Sequence, residues 1–229
     1  MKKNIYYSFA VLFCVFTSCS KSNNPEEPGK GGGGYVSGTY WPYTVNNTWY
    51  LVNTEDPNDK SDLIIHKELT YNGKTYYQFK PVGAIEGFEL TDGFREDNGV
   101  FISLYGATSR MGTNTSAGTV IEVNTNLKVG EVFKDEVTLT VSGLASGTIK
   151  HINESKILEK APSATINGKK YLDVIKIEVK HTAINSITGN TVIITYERWL
   201  AKGIGLIYEK TKYGELDIKE YSLLSYSVK

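Results

Sequence analysis

The 229-residue chain sets 25 Lys and Arg against 25 Asp and Glu, is 40% hydrophobic and 12% aromatic, and carries 22 glycines, 16 tyrosines and 2 cysteines. Those proportions exclude disordered, collagenous and disulfide-stapled chains. A net charge of zero supplies no basic field for a phosphate backbone, so nucleic acid is not an expected partner.

In chain order, Met1-Lys2-Lys3 is a short positive start, and Ile5 to Phe16 is an uncharged apolar run ending at Thr17-Ser18-Cys19. A spanning helix needs about 20 apolar residues, so the run reads as an export signal over residues 1–18 and not as a membrane anchor helix. Cys14 lies inside the apolar run and leaves with it, so Cys19 is the single cysteine of the mature chain. Ser20 to Gly34 has no hydrophobic residue, two prolines and a four-glycine run, which makes residues 19–34 a cysteine followed by a flexible tether. Treated as a coil it spans on the order of 20 Å.

The order Phe16-Thr17-Ser18-Cys19 resembles the lipobox of bacterial lipoproteins, with Phe16 where that family usually has an aliphatic residue. The resemblance implies that Cys19 is lipidated, is the first mature residue and makes the membrane a partner through its acyl chains, each buried methylene contributing about 0.8 kcal/mol. Lys21 and Glu26-Glu27 are similar to the charged post-cysteine segment of surface lipoproteins of Bacteroidota, which implies an outer-membrane location in the cell envelope.

Residues 35–229 read as one all-β domain. Leu69 to Phe79 is two apolar and Thr/Tyr-rich runs around Asn72-Gly73, and Thr165 to Val179 repeats that scheme around Asn167-Gly168. Asn-Gly supplies the two positive-φ residues that a type I′ hairpin turn needs. Further strands are expected at Trp49–Leu51, Gly99–Tyr105, Thr119–Val123, Val137–Val141, Gly147–Ile157, Thr191–Trp199, Gly205–Thr211 and Leu216–Ser227. No stretch has a helical period. Strands joined by short turns predict an antiparallel meander that forms a sandwich or curls into a half-open barrel. Thr70 to Tyr77 and Thr165 to Leu172 match at an offset of 95, and similar landmarks flank both. This points to a duplicated β-unit over residues 40–106 and 127–213.

Tyr40-Trp41-Pro42-Tyr43, Val45 to Trp49, the Asn-Gly-Lys hairpins and Trp199 to Tyr208 together resemble a group of Bacteroidota envelope lipoproteins. Its pattern runs "plkvGntW…nGktyy…W.a.GvGlv", and Asn46-Asn47 stands where the group has glycine. That group has no established activity, so the resemblance implies a compartment and an all-β fold and no reaction.

No catalytic constellation emerges, and neither an enzyme nor a cofactor is expected. His66, His151 and His181 have no paired spacing. His66 and Glu68 would share a strand face, which reads as an ordinary polar face rather than a dyad. The acidic loop Glu55 to Asp62 lacks the spacing of an EF-hand and reads as a solvated turn rather than a metal site. Asp92, Glu96 and Asp97 make a second acidic turn, which glycosidase chemistry could use only at a defined carboxyl separation. The aromatics are more suggestive. Trp49 and Trp199 read as core, whereas Tyr40, Trp41 and Tyr43 are candidate ligand-binding residues, since exposed rings stack on sugars. The expectation is a lipid-anchored, non-catalytic binding protein with a glycan as the favoured ligand. One alternative is a structural or assembly lipoprotein that pairs with another envelope protein, and another is a carrier of an apolar molecule inside a half-barrel.

Overall fold

The computed structural model describes residues 39–80 and 91–229. The signal, Cys19 and the tether lie outside them. The described chain is all-β, with β1 (Thr48–Asn53), β2 (Lys60–Tyr71), β3 (Lys74–Phe79), β4 (Gly93–Asp97), β5 (Val100–Tyr105), β6 (Thr108–Arg110) and β7 (Thr113–Thr115) in its first half. Then follow β8 (Gly118–Asn124), β9 (Val132–Gly143), β10 (Gly147–Ile166), β11 (Lys169–Asn185), β12 (Thr191–Ala201), β13 (Gly205–Tyr213) and β14 (Leu216–Ser227).

These strands form one antiparallel sheet in the order β6-β7-β9-β10-β11-β12-β13-β14-β1-β2-β3-β4-β5-β8. Two runs of consecutive neighbours, β9 to β14 and β1 to β5, are joined by the pairing of β1 with β14. The turns follow from residue chemistry. Asn72-Gly73, Asn98-Gly99 and Asn167-Gly168 all sit at positive φ, which matches the right-handed strand twist in a tight hairpin. Met111-Gly112 takes the same backbone without an asparagine to announce it.

The sheet curls but does not close. Between β8 and the β9–β10 hairpin the backbone ladder is interrupted, and side chains bridge the gap. Asp135 Oδ2 accepts from Ile121 N at 2.8 Å, Asn153 Nδ2 donates to Ile121 O at 3.4 Å, and Ser116 Oγ accepts from Thr140 N at 2.9 Å. The strands approach closely here, since a Cβ on Gly118 would meet Val137 at 2.5 Å. The result is an incompletely closed barrel, the curled form of the expected all-β architecture.

Alternation places the core inside. On β10, Ile149, His151, Asn153, Ser155 and Ile157 are buried in strict period two. The 20-residue β10 outruns β9, and beyond Lys156 it pairs only with β11. The β10–β11 tip folds onto β14, where Asn167 Nδ2 donates to Ser222 Oγ at 2.9 Å and to Leu223 O at 3.1 Å. Residues 39–47 enter at the end of the barrel that carries the β4–β5, β10–β11 and β12–β13 turns, called proximal below. The β9–β10, β11–β12 and β13–β14 turns mark the distal end.

Candidate functional site

At the proximal end two adjoining open depressions, of about 310 and 340 Å³, share Thr39 and Glu96. Trp41, Tyr43, Thr75 and Tyr77 line the first; Tyr40, Asn98, Thr125, Asn126 and Lys202 line the second. The walls come from the entering segment, from β3 and from the turns at the ends of β4, β8 and β12. Thr125 Oγ1 donates to Gly99 O at 2.9 Å and Asn126 Nδ2 to Asn98 O at 2.7 Å, so the second floor is a network of turn amides and hydroxyls.

The three aromatic residues singled out in the sequence all reach these depressions, in different ways. Trp41 is only 7% exposed and belongs to the core, with its ring stacked near that of Tyr43 at 6.0 Å and edge-on to Trp49 at 6.0 Å. Tyr43 continues the stack to Tyr77 at 5.9 Å. The ladder is packed ring against ring and offers the depression no flat exposed face. The indole N–H of Trp41 is buried without a hydrogen-bond partner among the described residues. Burial, with a smaller push from the Glu122 carboxylate, holds the Tyr43 phenol well above its ordinary pKa. Tyr40 lies half-buried and donates its hydroxyl to Asp173 Oδ1 at 2.8 Å, and burial together with that carboxylate keeps it un-ionised.

Above this aromatic layer the interior turns polar. Arg198 on β12 is held between two carboxylates, its Nε donating to Glu209 at 2.5 Å and its Nη1 to Glu122, while Ser103 Oγ donates to Glu122 at 3.0 Å. The flanking carboxylates outweigh burial and hold the guanidinium firmly protonated. Toward the distal end, His151 stacks on Tyr105 with ring centres 3.9 Å apart and faces His181 across 3.4 Å. His181 Nδ1 donates to Asn153 Oδ1 at 2.8 Å, so the neutral pair runs donor to acceptor from His151 Nδ1 to His181 Nε2 and on to Asn153. Burial drives both imidazoles below the usual 6.5, His151 to about 4.

The remaining titratable candidates turn to separate structural partners. His66 Nε2 meets Gln78 Oε1 at 2.9 Å. Asp59, in the acidic loop, accepts from Asn53, Lys219 and Tyr221, which hold its carboxyl below the ordinary range against the opposing effect of burial. Asp92 and Glu96 sit at opposite ends of β4 and accept from Gly106 N and Gly99 N respectively. Burial raises Asp92 to about 6. Among the described residues no group of three or more His, Cys, Asp or Glu converges as a metal site.

Sequence reasoning missed the polar interior. It also placed both Trp49 and Trp199 in the core, and the structure separates them: Trp49 is fully buried, with Nε1 donating to Ile204 O at 2.6 Å, whereas Trp199 points to the face opposite Arg198, under the Lys176 ammonium at 4.0 Å.

No family model matches the chain, and no curated protein matches it. Two solved structures are similar to it in backbone. One is a provisionally assigned lipoprotein from Parabacteroides distasonis, 12% identical with a TM-score of 0.48, covering 84% of this chain and 100% of that one. The other is a provisionally assigned exported protein with a YmcC-like fold from Bacteroides fragilis, 10% identical with a TM-score of 0.46, covering 83% of this chain and 100% of that one.

Proposed function

We propose that this chain is a lipid-anchored, non-catalytic binding protein of the cell envelope, held at the outer membrane through Cys19, and that it takes a glycan at the proximal depressions. The observation that carries this reading is the juxtaposition there of Tyr40, Trp41, Tyr43 and Tyr77 with Thr75, Asn98, Thr125 and Asn126. Hydroxyls and side-chain amides in an open concavity are the groups that sugar hydroxyls hydrogen-bond to, beside an aromatic wall. The anchor and export signal rest on the sequence of residues 1–34.

Two further observations favour this reading over its alternatives. A carrier of an apolar molecule needs a greasy hollow, and the barrel interior is instead occupied by packed rings and by the Arg198 network. A strand-adding partner needs a bare edge. β6, at one end of the sheet, is only three residues long, and the edge of β10 beyond Lys156 is blunted by a register shift after Ile157, by Glu159 and Lys160, and by Pro162, which has no N–H to offer.

The test is a glycan-array screen of the Cys19→Ala chain beside a Thr75→Arg variant. Thr75 is exposed at the rim of the first depression, so arginine there blocks access without disturbing the core. The expected result is recognition of one or more glycans, lost in the variant. A silent array, or binding indifferent to Thr75→Arg, removes the glycan or its assigned place.

A further inference from the structure

The walls of both depressions include the first described residues of the chain, Thr39, Tyr40, Trp41 and Tyr43. This segment is not a strand and pairs with no strand. Its Trp41 and Tyr43 rings pack into the core, and its backbone and the Tyr40 hydroxyl are fastened at few further points: Gly203 N donates to Thr39 O at 2.8 Å, Asn47 Nδ2 donates to Pro42 O at 2.9 Å, and the Tyr40 hydroxyl donates to Asp173 at 2.8 Å. Asp173 lines neither depression. It sits in β11 at a φ of 50°, a left-handed conformation inside a strand, opposite Pro162, where one pair is missing from the β10–β11 ladder while its register continues from the pair Ala161 and Val174 to the pair Ser163 and Leu172. That backbone turns its carboxylate toward the entering segment and toward Lys202, whose ammonium lies 3.4 Å away. A non-glycine residue held at positive φ in mid-strand costs energy, and such strain concentrates where a side chain has to be aimed.

We propose that residues 39–43 form a strap and that Asp173, through the Tyr40 hydroxyl, is the positioning residue that fastens it, so that the candidate site exists only while the strap is down. This rests on the glycan reading for what the site binds, but not for the fastening itself. The strap leads directly into the tether, so any pull through the lipid anchor is borne first by these contacts.

Three substitutions separate a fastener from a residue that merely tolerates a bulge. Tyr40→Phe keeps the ring and removes the hydrogen bond. Asp173→Gly suits the positive φ better than aspartate and removes the carboxylate. Asp173→Asn keeps both the tolerance of that backbone and an acceptor for Tyr40. The first readout is acrylamide quenching of tryptophan in a Trp199→Phe background, where Trp49 is fully buried and a change reports Trp41. The second is affinity for whichever array glycan the wild-type chain binds. Tyr40→Phe and Asp173→Gly are expected to increase quenching of Trp41 and to weaken binding by up to about fivefold, the ceiling set by one net hydrogen bond, while Asp173→Asn stays near wild type. Unchanged quenching and affinity in Tyr40→Phe and Asp173→Gly overturn the strap and leave the glycan reading standing. A wild-type chain that binds no glycan overturns that reading, and the quenching still decides the strap. Loosening in Asp173→Asn as large as in Asp173→Gly overturns the Tyr40 bond as the fastening.

Discussion

The proximal and distal halves of the barrel interior are built on opposite principles. Proximally, Trp41, Tyr77, Phe79 and Phe101 surround Tyr43 with ring centres about 6 Å away, Trp49 packs against Trp41 and Phe79, and what holds them is shape. From the middle outward, Arg198 with Glu122 and Glu209, then Asn153, His181, His151 and Tyr105, hold one another by charge and by directed hydrogen bonds. The first half is sensitive to lost volume and indifferent to pH. The second tolerates little change in protonation, because each member is satisfied only by the state of its neighbour.

The largest separation between the halves comes from Trp49→Ala. This removes a side chain with no exposed surface, the ring partner of Trp41 and Phe79, whose indole also fills the space a Cβ on Gly205 would claim at 2.8 Å. The expected loss is roughly 3–5 kcal/mol in urea denaturation, equal at neutral and at mildly acidic pH. A loss that varies with pH would break the contrast. Next comes Arg198→Met, which strands Glu122 and Glu209 in the interior and costs roughly 3 kcal/mol at neutral pH. Adding Glu122→Gln and Glu209→Gln should restore stability to within about 1 kcal/mol of wild type. If the triple variant is as weak as Arg198→Met alone, packing and not charge balance is what Arg198 supplies.

The two halves were unequally legible in the sequence. Asn72-Gly73, Asn98-Gly99 and Asn167-Gly168 announce their hairpins because few other pairs accept two positive φ values, and the aliphatic alternation of β11 marks a buried face. β4 escaped because Phe-Arg-Glu-Asp shows no apolar period, and the β6–β7 turn because Met111 is no turn residue. The left-handed backbone of Asn46, at φ 75°, explains why asparagine can stand there in place of glycine. The polar interior was invisible for a physical reason: Glu122, Arg198 and Glu209 read as the wet positions of alternating strands, and their partnership spans 76 residues of chain. Period two says which residues share a face, not that a face turned inward will carry charge. The depressions show the same limit. Tyr40, Trp41 and Tyr43 stand out in the sequence as neighbouring aromatics, whereas Thr75 on β3 and Asn98, Asn126 and Lys202 on separate turns are brought beside them only by the curled sheet.

The smallest expected effect is also the most selective, since it reads the distal half alone. His151 is 6% exposed and its pKa falls from 6.5 to about 4, with burial the main cause and His181 the second; His181 is lowered too. In the unfolded chain both imidazoles take protons near 6.5, so below that pH the unfolded state binds more protons than the folded one. Stability is therefore fully present above about pH 6.5 and is lost as pH falls toward 4. The pair shares one hydrogen bond, so a first proton disfavours a second and the two losses do not offset each other; His151 alone should account for about 2 kcal/mol by pH 5. His151→Leu, close in volume, removes the partner of His181 and should flatten this acid limb while leaving the deficit caused by Trp49→Ala untouched in the double variant. Denaturation midpoints followed across that pH window decide it: an undiminished acid limb in His151→Leu would place the pH sensitivity elsewhere, with His181 the first group to substitute.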